Sequence, residues 1–206
     1  HDALPILNQA RALVHVYADG SVNVSTGAVE MGQGVNTKML QVASVVLSLP
    51  VHRIKINTTN TYRIANTSPS AASATADLNG KAVEIACRAI LDRLIEVAAS
   101  VLNAGKADIH LQDERVYVSG QPSPLSWNEL IQAAYIKRVS LSEHAHYATP
   151  GLHFDGTKEK GHPFAYHVYG TAVTTVTVDC VRGIYDIDYV KIIHDVGSTM
   201  NENIDR

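Results

Sequence analysis

Glu30-Met31-Gly32-Gln33-Gly34 runs straight into a stretch with helical spacing of apolar residues, Met39, Val42, Val46 and Leu49, which Pro50 stops. Further on, Thr67-Ser68-Pro69-Ser70-Ala71-Ala72-Ser73-Ala74-Thr75-Ala76-Asp77 opens a longer pattern that reaches Leu102. In that pattern Leu78, Ala82, Ile85, Ala89, Leu94, Val97 and Val101 fall on one face. Asp77, Lys81, Glu84, Arg88, Asp92 and Glu96 fall on the other. The spacing predicts helices over 35–49 and 76–102, the second with one buried stripe and one solvated charged face. Loops of small residues let backbone N–H groups approach an anion, and a helix N-terminus adds about half a positive charge. Two such loops in one chain suggest a cradle for a large phosphorylated or heavily hydrogen-bonded ligand.

Outward from these helices the chain reads mostly as strands. Residues 12–16 and 22–25 alternate around Asp19-Gly20, a hairpin signal, because Asp-Gly supplies positive φ angles. Residues 54–58, 109–111, 115–118 and 139–147 are further strand candidates, and Gly120-Gln121-Pro122 is a turn. Ser126 with Glu129 three residues on fits a capping box for a helix reaching about Ile136. Residues 149–163 carry Gly and Pro and read as a loop. Residues 166–178 and 185–196 read as two long strands joined by Cys180-Val181-Arg182-Gly183. Strands and helices mix without a regular β-α-β repeat. The fold class is therefore α+β, with mixed, partly antiparallel sheets and packed helices.

The bulk numbers set limits. A chain of 206 residues that is 46% hydrophobic and 18% charged can bury a sizeable core. The net charge of −3 and the lack of a basic run argue against nucleic acid or an anionic membrane as main partner. No apolar stretch approaches the roughly 20 residues of a membrane helix. Cys87 and Cys180 lie in apolar patterns, outside any C-x-x-C spacing, and are expected to be reduced core residues. The expected compartment is cytoplasmic.

Gly32, Gln33 and Gly34 form either a ligand loop or a tight strand-to-helix turn. The loop is too short for a P-loop, and no Gly-Lys-Ser/Thr follows. The Gln33 amide both donates and accepts, which suits the edge of a heteroaromatic ring. In the second loop Ser70, Ser73 and Thr75 offer hydroxyls, while Ala71, Ala72 and Ala74 offer backbone without bulk. The plainer alternative is an N-capped, Ala-rich helix start. The 10 histidines show no metal-binding spacing; His144 and His146, two apart on a strand, share a face. Asp195 is expected to be a strand-end hydrogen-bonding residue. No nucleophile–base set stands out, so the expectation is a site without catalytic or metal-ligating side chains, where a cofactor carries the chemistry.

Residues 12–14 through Glu30-Met31-Gly32-Gln33-Gly34, with Thr37 to Ser44, resemble the molybdenum-cofactor subunit of xanthine dehydrogenases and aldehyde oxidases. So do Asn66 to Gly80, Phe164 to Gly170, Asp179-Cys180, and Asp195-Val196-Gly197-Ser198 with Asn201 and Ile204-Asp205. The likeness runs from Leu7 onward. It implies a bound molybdopterin, in bacteria often the cytosine dinucleotide, whose dithiolene and not the protein holds the metal. It implies that Gln33 with Gly32 and Gly34 contacts the pterin on one side. Ser70, Ala71, Ala72, Ser73, Ala74 and Thr75 would wrap the other, with Ala72 close to molybdenum. The implied reaction is hydroxylation of a purine or related N-heterocycle with water-derived oxygen. Electrons would pass to FAD and 2Fe-2S clusters in other domains or subunits of an oligomeric enzyme. An aldehyde-oxidising member of the same family is the alternative.

The resemblance also has departures. The family's glutamate base falls beyond Arg206, and its substrate-orienting arginine and second glutamate fall before His1. A usual glycine after Ala10 is Arg11. His1–Ile6 reads HDALPI, which one frame of a common sequencing-adaptor end would encode. Residues 1–6 are expected to be non-native, and 7–206 a partial molybdopterin-binding domain that is inactive alone. The competing reading from a different class is a non-catalytic α+β domain that binds another anion or a protein partner. The two differ in geometry: the cofactor reading needs the backbone N–H groups of Gly32 to Gly34 and of Ser70 to Thr75 to face one shared cleft.

Overall fold

The computed structural model describes residues 8–204 other than Thr58, Asn66, Ala72 and Val196. Its principal sheet has the strand order β3 (Ile54–Asn57), β2 (Val22–Thr26), β1 (Gln9–Val16), β7 (Ser142–Ala148). Strands β1 and β2 form an antiparallel hairpin, and β7 pairs antiparallel with β1 on its other side. Strand β3 lies parallel to β2, which requires a crossover; helix α1 (Val35–Leu47) supplies it. Along β1 burial alternates strictly, with Ala10, Ala12, Val14 and Val16 in the core. Helix α2 (Thr75–Leu102) packs against β1, β7 and α1.

A second, smaller sheet and a third helix cover the far end of α2. Strands β4 (Ile109–Gln112), β5 (Arg115–Val118) and β6 (Gln121–Ser126) form a three-stranded antiparallel meander leading into α3 (Trp127–Ile136). The capping box is present: the Ser126 hydroxyl accepts from Glu129 N, and Glu129 Oε2 accepts from Ser126 N at 2.8 Å. Trp127 is 1% exposed, and its indole N–H donates to Gly20 O at 2.8 Å, tying α3 to the β1–β2 turn. A Cβ at Gly20 would overlap both Trp127 and Asn128. Gly20 (φ +83) is also the left-handed position of a three-residue loop in which its N–H donates to Tyr17 O. Only Gly20 of the Asp-Gly pair has positive φ; Asp19 instead accepts from Ser21 N.

Several boundaries differ from the sequence expectation. Helix α1 ends two residues earlier, at Leu47, because Ser48 turns left-handed (φ 53) and its N–H caps Ser44 O and Val45 O. The turn before β6 is Ser119-Gly120, both with positive φ, so Gln121-Pro122 starts a strand. The expected loop 149–163 contains a short hairpin, β8 (His153–Asp155) with β9 (Lys160–His162). The strand expected from Tyr166 begins at Gly170. On α2 the buried stripe is Leu78, Ala82, Val83, Ala86, Cys87, Ile90, Leu94, Val97 and Ala98; Ile85 and Val101 are exposed. The charged face is solvated as expected, with Glu84 paired to Lys81 at 2.8 Å and Arg88 at 2.7 Å.

Strands β10 (Gly170–Asp179) and β11 (Ile184–His194) form a long hairpin that belongs to no other sheet. A bulge between Thr175 and Val176 resets the register. Because directly opposed residues share a face, Ala172, Val176, Val178, Tyr185, Ile187, Val190 and Ile192 line one side. All seven are exposed, Ile192 at 65%. Cys180, expected in the core, is also exposed, in the turn of this hairpin; Cys87 is buried.

Candidate functional site

The parallel pairing of β2 and β3 creates the site. Both strands end at the same edge of the sheet. The chain leaving β2 passes through residues 30–34 into α1, and the chain leaving β3 passes through 67–74 into α2. Two loops separated in sequence are thereby set side by side at the carboxyl ends of adjacent strands, where open α/β sheets bind ligands. Val29 N, just before the first loop, donates to Ser70 Oγ of the second at 2.8 Å, and the second loop is stitched to β1 by Ser68 N to Gln9 O at 2.9 Å and Gln9 N to Ser68 Oγ at 3.0 Å.

Between the loops lies a cavity of about 430 Å³, lined by Met31, Gln33, Val35 and Lys38 on one wall and Ser70, Ala71, Ser73, Thr75 and Ala76 on the other. That size is within the usual range for ligand sites. A larger adjoining space, about 760 Å³, shares Lys38, Ser73 and Ala76 with it and adds Ala74, Asp77, Tyr147, Phe164 and Tyr166. Burial pushes the Asp77 carboxyl above the usual range, opposed by the charge of Lys38. The Tyr166 hydroxyl donates to Asp77, fastening residues 163–169 to the start of α2.

The expected site residues divide accordingly. Gln33, Ser70, Ala71, Ser73 and Thr75 come together around the smaller cavity, and Ala74 lines the larger one. Ala72 lies outside the described residues. Gly32 and Gly34 line neither cavity. Their amides donate to Glu30, Gly32 N at 2.9 Å and Gly34 N at 2.9 Å, so the expected backbone cradle of the first loop is closed by its own side chain. The plainer alternative for the second loop, a hydroxyl-capped helix start, is not formed: the N-cap of α2 is Ala74, with no side-chain bond. Ser73 holds φ 58, a left-handed conformation that costs a non-glycine residue roughly 1–2 kcal/mol.

Sequence reasoning passed over Glu30, Lys38 and Asp77. The signal for Lys38 was present: it stands four residues after Gly34, one helical turn along the face that starts the cavity wall. Asp195 behaves as expected, its carboxylate accepting from Gly197 N at 2.9 Å. His144 and His146 share the exposed face of β7, and His146 Nε2 lies 3.1 Å from Gln9 Oε1.

With this geometry in place, the chain matches the family model of the molybdopterin cofactor-binding domain over residues 3–206. The chain belongs to that family. It is 42% identical over 202 residues to the xanthine dehydrogenase/oxidase of Felis catus, covering 98% of this chain and 14% of that protein. It is 39% identical over 197 residues to aldehyde oxidase 1 of Oryctolagus cuniculus, covering 96% of this chain and 13% of that protein. Quinoline 2-oxidoreductase from Pseudomonas putida 86 superimposes with a TM-score of 0.80 at 22% identity, over 95% of this chain and 24% of that one, and shares the fold. The chain thus spans about one-seventh of the curated relatives it matches.

The smaller cavity fits the cofactor of this family. Its walls offer hydroxyls, an amide and a lysine, and among the described residues lining it none is acidic, so a phosphorylated group meets no like charge there. One acceptor is left over nearby: Asn79, 2% exposed, donates through Nδ2 to Thr75 O at 2.9 Å, while its Oδ1 has no partner.

Proposed function

We propose that this chain forms the part of a molybdenum hydroxylase, of the xanthine dehydrogenase kind, that clasps molybdopterin between residues 31–33 and 70–75. The observation that carries the reading is the shared cavity: two loops leading into different helices line one cleft in a chain of the molybdopterin cofactor-binding family. Gln33, Ser70, Ser73 and Thr75 would hydrogen-bond the cofactor, and Ala71 and Ala76 would let it approach the backbone. When bound, the cofactor supplies the two-electron chemistry by which an oxygen from water enters a substrate C–H position. The chain's own residues bind, orient and shield the cofactor; the acid–base groups for substrate would come from elsewhere in the enzyme.

The substrate we infer is a purine or related N-heterocycle, by likeness to the xanthine dehydrogenases. The aldehyde-oxidising alternative is kept open by the 39% identity to a mammalian aldehyde oxidase. FAD and 2Fe-2S centres in other domains or subunits would carry the electrons away, in a cytoplasmic oligomer. The exposed apolar side of the β10–β11 hairpin supports this membership of a larger polypeptide, because a lone domain rarely leaves such a face in water. The cofactor's nucleotide form is proposed as the cytosine dinucleotide if the source is bacterial.

The test is expression of the complete reading frame, with molybdenum and pterin measured per polypeptide and xanthine, hypoxanthine and aldehydes offered as substrates. Stoichiometric molybdenum with xanthine turnover is expected, and acid release of cytidine monophosphate would report the dinucleotide. A full-length protein that folds but holds neither molybdenum nor pterin refutes the cofactor reading.

A further inference from the structure

Glu30 sits where a ligand anion would be expected. Its Oε1 accepts from Gly32 N and Gly34 N, both at 2.9 Å, and its Oε2 accepts from Asn36 N at 3.0 Å. These amides are the donors that the loop and the first turn of α1 leave without partners inside the helix. Consecutive amides of this sort make an anion-binding nest. The amides of Asn36, Gly34, Gly32 and Gln33 together hold the Glu30 carboxyl below its usual range.

The Gln33 side chain is fixed by the same turn. Its Oε1 accepts from Met31 N at 2.6 Å, and its Nε2 donates to Val29 O at 2.8 Å. Each use takes half of that atom's capacity, so one N–H and one lone pair remain on an amide whose orientation is set. Gln33 and Met31 are the loop's contributions to the cavity wall.

The geometry assigns Glu30 as a positioning residue, the resident anion of the α1 N-terminus. It keeps the nest filled, so the first loop meets a neutral, hydrogen-bonding part of the ligand through Gln33. The anionic part is then received by the wall of Ser70, Ser73 and Thr75. This assignment rests on the cleft being the cofactor site; the amides of Gly32 and Gly34 then serve Glu30, and Gln33 is left to meet the pterin.

The experiment uses the full-length enzyme with Glu30→Ala and the isosteric Glu30→Gln. Hydrogen exchange of a peptide spanning 29–39 is followed beside the molybdenum and pterin content. In Glu30→Ala the peptide should exchange at least about tenfold faster, equivalent to losing about 1.4 kcal/mol of protection, and cofactor content should fall. Added formate, which can refill the nest, should restore both. Glu30→Gln, with a single acceptor oxygen, should fall between.

The pH response ties the effect to the ionised Glu30 carboxylate, and cofactor content that tracks it separates positioning from a purely structural role. A depressed carboxylate contributes protection that is present above its unfolded value and is lost as pH falls through the folded one. In the wild type, protection normalised to unstructured peptide rates should therefore fall in the acid range, and in Glu30→Gln that step should vanish. Unchanged exchange in Glu30→Ala overturns the proposal. So does a gain in cofactor content, which would make the nest the ligand's own anion site. A wild type that lacks molybdenum and pterin overturns the cofactor reading alone, because the exchange and formate results still judge Glu30.

Discussion

Replacing Gly34 by alanine tests the joint between the first loop and the segment that closes over it. Gly34 is the N-cap of α1 at φ 75, ψ 18, the left-handed region, where an alanine costs roughly 1–2 kcal/mol. A Cβ there would also lie 2.8 Å and 2.9 Å from two carbons of the Ile204 side chain. Forcing a methyl into filled space typically costs about 1–3 kcal/mol, toward the low end when the neighbour is a side chain that can turn. The sum is about 2–5 kcal/mol, a large share of the roughly 5–15 kcal/mol that holds a domain folded. Gly32 is the internal control: it has φ +99 and nothing within 4 Å of its would-be Cβ, so Gly32→Ala carries only the conformational part. Urea unfolding, followed by the fluorescence of Trp127, the single tryptophan, measures both variants. Gly34→Ala should be the more destabilised by about 1 kcal/mol or more. Adding Ile204→Ala should recover most of that difference, a coupling of about 1 kcal/mol in a double-mutant cycle. Equal costs at Gly32 and Gly34, with no recovery, would mean that Ile204 does not pack on the loop in solution.

Three further outcomes follow from single interactions. Ser126→Ala removes the capping box of α3 and should lower stability by about 1 kcal/mol in the same urea assay, with little effect on cofactor content. Burial pushes the Cys87 thiol up to about 12, so at pH 8 it stays protonated and shielded; a thiol reagent should label Cys180 alone in the native chain and both cysteines in denaturant. Labelling of two thiols without denaturant would contradict the packing of α2. Ile192→Lys on the apolar side of β10–β11 should reduce self-association of the isolated 206-residue chain in light scattering while leaving its unfolding midpoint within about 0.5 kcal/mol, because Ile192 is an exposed side chain. An unchanged association state would show that this face is not what the isolated chain uses.

Much of the scaffold was legible along the chain because it depends on neighbours in sequence. Both long helices, the Ser126–Glu129 cap and the hairpin around Asp19-Gly20 follow from local spacing and turn chemistry. The errors have local causes as well. The stripe on α2 differs at Ile85 and Val101, because the apolar residues Ile85, Ala86, Cys87, Ala89 and Ile90 spread over more than one face, which leaves the buried one to be chosen by what packs on it. Strand β6 was missed because its two prolines argue against a strand, and an outer strand of a small sheet tolerates them.

The candidate site was half legible. The residues of the second loop that face the cavity were found from their hydroxyls and small size. Glu30 was passed over because its role is to bend back onto amides two, four and six residues ahead, a geometry that depends on the positive φ angles at Gly32 and Gly34. Cys180 was misplaced because an apolar string reads alike whether or not a second sheet covers it.

By itself the sequence determined the elements: where α1, α2 and α3 run, which strands alternate, and which small-residue loops precede helices. Those follow from backbone sterics and the period of apolar side chains, which act over a few residues. Only the tertiary structure decided that β3 lies parallel beside β2, which brings Met31 and Gln33 to one cleft with Ser70, Ala71, Ser73 and Thr75. It alone decided that the Glu30 carboxylate bends back to accept from the amides of Gly32, Gly34 and Asn36. Strand order and the partner of a hydrogen-bond donor are set by competition among contacts distant in sequence, and no local pattern encodes which of them wins.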